Sequence, residues 1–152
     1  MNGPTSAFDE LEARYGELLS WCALLEAIAD FQPCRVNERL CGTVADGLVP
    51  LLLTSHRLEE QILSIWLGTI MSGGERSEME DRLKAGRLVD LDAAQDVVEV
   101  LQALQVGRCL LSLDAVSHLL RSFFCALRRH IAAQRRIFRG IDEVTRAELG
   151  AA

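Results

Sequence analysis

The chain has 152 residues, of which 49% are hydrophobic, and a formal net charge of -6. That length and apolar content suffice for one domain with a sizeable core, so folding requires neither a disulfide framework nor a metal. The acidic balance argues against nucleic acid or an acidic membrane surface as the main partner, because both select a dominant basic face.

The opening "MNGPTSAFDE" has no positive n-region followed by an apolar stretch, and the longest apolar run is "LVPLLL", far short of a membrane span. A soluble cytoplasmic protein is expected. Cys22, Cys34, Cys41, Cys109 and Cys125 form no CxxC motif, which favours reduced thiols in apolar surroundings over zinc binding or disulfides. Neither GxGxxG nor GxxxxGK[ST] is present, so no phosphate-cradling loop is expected.

Leu, Ala, Glu and Arg dominate while aromatics are 5% of the chain, a composition that predicts an all-α fold. The first helix is expected over about residues 6 to 30, ending at "DFQPC". A second follows over about 37 to 71, with Pro50, Gly42 and Gly47 expected to bend it. After "SGGE" a third runs over about 75 to 105, and after "VGRCLLS" a fourth over about 113 to 139. Beyond Gly140, "IDEVTRAELGAA" reads as a polar tail that docks as a short turn or frays. Short connections predict one domain over 1–152, an antiparallel up-down-up-down four-helix bundle.

Steps of three and four residues trace the seam that each helix turns inward. The first helix gives Phe8, Leu11, Tyr15, Leu18, Cys22, Leu25 and Ala29, and the second gives Val49, Leu53, His56, Glu60, Leu63, Leu67 and Ile70. The third gives Leu83, Arg87, Asp90, Ala94, Val97, Leu101 and Leu104, and the fourth gives Val116, Leu120, Phe123, Leu127, His130, Gln134 and Ile137. Each apolar seam has one polar interruption. Counted from the turns between antiparallel helices, the four interruptions fall at about the same height. Tyr15, His56, Glu60, Arg87, Asp90, His130 and Gln134 are therefore expected to form one buried polar layer, whose members must bond one another or bind something.

The stretches "YGELLSWCALLEAIADFQP", "HRLEEQIL" and "LLRSFFCALRRHIAAQRRIF" resemble the hemerythrin-like proteins, in the HHE cation-binding branch, from Tyr15 to Phe138. In that family four antiparallel helices hold a di-iron centre through a histidine on the first helix, an HxxxE pair on the second, one or two histidines on the third, and a histidine followed by a carboxylate on the fourth. The resemblance implies a hemerythrin-like bundle in which His56, Glu60 and His130 match ligand positions. Tyr15, Arg87 and Gln134 stand where the family carries a histidine, a histidine and a carboxylate. His118 falls where relatives carry an aromatic and is not counted as a ligand.

Two irons need about a dozen coordination positions and bridging carboxylates, so this reduced set does not predict reversible oxygen carriage. His56, Glu60 and His130 make a two-histidine, one-carboxylate set suited to a single iron(II) or similar divalent ion, with Tyr15, Arg87, Asp90 and Gln134 accessory in the same layer. On this reading the protein handles or senses metal and is not an enzyme, since no general acid/base pair with a substrate pocket stands out. The rival reading is a metal-free scaffold or regulatory module for a protein partner, in which the Arg87 guanidinium replaces the metal by bridging carboxylates. The arginines at 128, 129, 135, 136 and 139 read as a solvated basic face pairing with acids of the first helix. Oligomeric state is left open by the sequence.

Overall fold

A computed structural model of the chain describes residues 4–30, 38–71 and 73–150. They form four helices, α1 (Pro4–Asp30), α2 (Glu38–Ile70), α3 (Gly74–Gln105) and α4 (Leu113–Gly150), with no strand among the described residues. The fold is all-α, and the helix contacts are those of a four-helix bundle. The first break, with Cys34, lies outside the described residues. No helix among them is long and apolar enough to cross a membrane.

The boundaries follow local chemistry. Gly107 adopts φ 69° just past α3, and there Arg108 N–H donates to Ala103 O while Gly107 N–H donates to Leu104 O. This left-handed Schellman cap needs a residue without a Cβ. At the start of α4, Ala115 N–H donates to the Ser112 hydroxyl at 3.1 Å, a side-chain N-cap. The predicted end of α4 near Gly140 is corrected: the helix continues to Gly150. Ile141 repeats the inward stripe of Gln134 and Phe138 and is buried, so core packing outweighs the propensity cost of one glycine.

Contacts between helices run in the order expected of antiparallel neighbours. From α1 to α4, Glu12 pairs with Arg135, Glu26 with Arg128, and Asp30 with Arg121. Between α2 and α3, Arg76 donates to Ser64 O and Arg87 to Glu59, while Gln105 packs on Gly42. α2 is continuous through Pro50. The two glycines before it do not mark a break; they admit close neighbours. A methyl group at Gly47 would lie 2.1 Å from Cη2 of Trp21 on α1, and one at Gly42 would lie 2.5 Å from Nε2 of Gln105.

The α1 seam packs as expected, with Leu11, Tyr15, Leu18, Cys22, Leu25 and Ala29 all buried. On α2 the buried face is offset. Leu48, Leu52, Ser55, His56, Glu59 and Ile62 are buried, whereas Leu53 is 44% exposed and Glu60 is exposed. Successive residues of a helix rotate by about 100°. His56 therefore marks one edge of the buried arc, the residue three further on sits near its centre, and the residue four further on falls outside. On α4 the same offset exposes Ile137 and buries Phe138, whose ring meets Phe8 edge-on at 6.0 Å.

Candidate functional site

The polar layer forms around Glu59, not Glu60. Glu59 is 1% exposed, and both carboxylate oxygens have donors. The Tyr15 hydroxyl donates to Oε1 at 2.5 Å, and His130 Nε2 lies 2.9 Å from the same oxygen. Arg87 Nε donates to Oε2 at 3.4 Å. All four helices thus contribute to one cluster. Asp90 extends it, with Oδ2 3.8 Å from Nδ1 of His130, so the ring of His130 is held between two acids from different helices.

His56 is the exception. Its ring is 6% exposed and packs edge-on to that of His130, with centroids 6.2 Å apart. Both of its nitrogens are buried and lack a hydrogen-bond partner among the described residues, as does Oε1 of Gln134 one helical turn beyond His130. Leaving buried polar atoms unpaired costs about 1–3 kcal/mol per group, so such an imidazole points to a ligand that completes it.

The electrostatics separate the two histidines. Burial pushes His56 down to about 4, against the opposing pull of Glu59, so its ring is neutral near pH 7 and presents a lone pair. Burial also disfavours charge on His130, but the hydrogen bond and charge of Glu59, helped by Asp90, raise its pKa above the ordinary value. For Glu59, burial favours the neutral acid, yet the hydrogen bond from His130 and those neighbours' charges and donors hold its pKa down. Burial, followed by the Glu59 charge, drives the Tyr15 phenol far above its usual range, so it remains a donor.

His56, Glu59 and His130 each offer a ligand atom, and the three atoms lie within 4.8 Å of one another. Ligands at about 2.1 Å around a tetrahedral ion are about 3.4 Å apart, so side-chain rotation inward would bring these atoms to coordinating range. Two imidazoles, that of His130 once it has given up its proton, and a carboxylate form a borderline donor set that suits iron(II) or zinc better than calcium or magnesium. The residues present therefore fit a single divalent transition-metal ion.

Of the residues expected in the layer, Tyr15, His56, Arg87, Asp90 and His130 come together around Glu59, and Gln134 is buried beside them on α4. Glu60 does not join. It lines a surface hollow on the far side of Arg87. The sequence carried a signal for Glu59: three and four residues away along its face lie Ser55, Ile62 and Leu63, whereas Arg57 precedes Glu60 by three. His118 is exposed and outside the cluster, as expected.

Two of the five arginines of the basic face on α4 are tied to α1. Arg128 pairs with Glu26 and covers the Phe124 ring, and Arg135 pairs with Glu12. Burial pushes the Cys22 thiol up to about 11 and raises Cys41 as well, which leaves both poor nucleophiles. Compared with protein-family models, with curated proteins and with solved structures, the chain matches none.

Proposed function

We propose that the protein binds one divalent transition-metal ion, iron(II) or zinc, in the core of its bundle through His56, Glu59 and His130, and that it serves in metal handling or sensing rather than oxygen carriage. One observation carries this reading: the buried imidazole of His56, with neither nitrogen partnered among the described residues, faces His130 and a carboxylate. A histidine that had only to fill space would be exchanged for leucine at a gain in stability. Its depressed pKa keeps the lone pair available near neutral pH. Glu59 in place of Glu60 leaves the two-histidine, one-carboxylate chemistry unchanged. The hemerythrin-like resemblance supports His56 and His130 as ligand positions, while its second-helix carboxylate position, Glu60, lies outside the cluster.

Metal content per chain tests the proposal. After anaerobic incubation with iron(II), or with zinc, and desalting, mass spectrometry should find about one equivalent, lost in the His56→Ala/His130→Ala double variant. No retained metal in the unsubstituted protein refutes it. The metal-free reading has its own support, the contact between Arg87 and Glu59, because a guanidinium there neutralises the buried carboxylate without any ion. Under that reading the protein retains no metal, and Arg87 is needed for stability alone.

A further inference from the structure

Arg87 stands between two carboxylate environments. Inward, its Nε lies 3.4 Å from Oε2 of Glu59, with the side chain 12% exposed. Outward, the same side chain forms one wall of a hollow of about 80 Å³ between α2 and α3, whose other walls include Glu60 and Glu80. Glu59 and Glu60 are consecutive on α2 and point about 100° apart. One faces the core and the other the hollow, and Arg87 touches the first and lines the second. Glu80 lies seven residues before Arg87, two turns along the same face of α3, and bonds Arg76 at 3.0 Å. Glu60 has no ion-pair partner among the described residues.

We propose that Arg87 is a displaceable counter-ion: when a divalent ion is held by His56, Glu59 and His130, its guanidinium leaves Glu59 and turns into the hollow beside Glu60 and Glu80. This rests on the metal-binding reading above. In the empty protein a buried carboxylate needs a cation, and Arg87 supplies it together with hydrogen bonds from Tyr15 and His130. A divalent ion on the same carboxylate repels a guanidinium a few ångströms away, and its attraction to Glu59 replaces the one the arginine provided. Outward rotation needs no backbone change, because a long side chain can pivot on its aliphatic stem. The hollow already holds a carboxylate without a partner. Occupancy of the core would thereby change surface charge between α2 and α3, where Glu60 has no ion-pair partner among the described residues in the empty form and gains Arg87 in the loaded one. The core would then be readable from outside.

Zinc affinity, measured by competition with a chromophoric chelator, tests the exchange in four proteins: unsubstituted, R87M, E60Q/E80Q and the triple variant. R87M should bind zinc at least about tenfold more tightly, because no cation has to be evicted. E60Q/E80Q should bind several-fold more weakly in the arginine background and about equally in the methionine background, a coupling that isolates the contact between Arg87 and the hollow. Equal weakening in both backgrounds would mean that the two carboxylates act on the ion directly, and no weakening in either would mean that the hollow receives nothing; each result overturns the exchange. If neither the unsubstituted protein nor R87M takes up zinc, the metal reading itself has failed, which is a distinct result. An independent readout needs no core substitution. The Nε–H resonance of Arg87, assigned by its loss in R87K, should be protected from solvent exchange before zinc is added and exchange rapidly afterwards. Unchanged protection in the zinc-loaded protein overturns the proposal.

Discussion

Replacing Glu59 by alanine removes the acceptor on which three other helices converge. The Tyr15 hydroxyl, His130 Nε2 and Arg87 Nε all lose their partner at once. Breaking a buried ion pair from one side costs about 3–5 kcal/mol, since the remaining charge stays desolvated. Arg87 and His130 are 12% and 23% exposed, so both recover some hydration, and the lower end, about 3 kcal/mol, is expected. With a urea dependence of about 2 kcal/mol per molar, the denaturation midpoint should fall by about 1.5 M. Glu60→Ala, on the exposed side of the same helix, should change stability by no more than about 0.5 kcal/mol. Urea unfolding followed by circular dichroism in metal-free buffer compares the two directly. A cost below about 1 kcal/mol for Glu59→Ala, or an equal cost for Glu60→Ala, would refute the placement of Glu59 at the centre of the network.

Further outcomes concern the two histidines, Tyr15 and two helical glycines. The imidazole signals of His56 and His130 should titrate on opposite sides of 6.5 in an NMR experiment, His56 near 4 and His130 above the ordinary value. Because the folded pKa of His56 is depressed, the unfolded chain binds the extra proton between about 6.5 and 4, and stability falls as pH is lowered through that window. A shift of this size corresponds to roughly 3 kcal/mol, and His56→Leu should abolish that part of the acid sensitivity; an unchanged pH dependence in the variant would contradict it. For His130 the sign is reversed: its contribution is complete below the unfolded pKa and is lost as pH rises through the raised folded value. Tyr15→Phe removes a hydrogen bond to a buried carboxylate and should cost about 1.5–3 kcal/mol by chemical denaturation. Gly47→Ala pushes a methyl into Trp21 and should cost about 1–3 kcal/mol. Gly16→Ala, with nothing within 4 Å of the new methyl, should stabilise the helix by about 0.5–1 kcal/mol.

The four helices could be read from the sequence because long, leucine-rich segments separated by Gly and Pro signals leave few alternatives. The seams of α1 and α3 were equally plain: α1 buries a narrow stripe, and three- and four-residue steps follow a stripe closely. α2 buries a wider arc, in which Ser55, Glu59 and Ile62 lie beside Leu52 and Leu63, and a walk through His56 follows the edge of that arc instead of its centre. Such a walk lands one residue past the centre, on Glu60 in place of Glu59. On α4 the tail composition suggested an end at Gly140, but Ile141 had a place in the core, and tertiary packing decided the matter. The inward reach of Arg87 could not be read from spacing at all, because a long side chain at the edge of a helix can serve either direction.

The most direct test of the central claim is an anomalous difference map at the zinc absorption edge, from crystals grown with zinc. A single strong peak is expected in the bundle core, with nitrogens of His56 and His130 and an oxygen of Glu59 each about 2.0–2.2 Å away. An empty core, or a peak held by Glu60 at the surface, would contradict it.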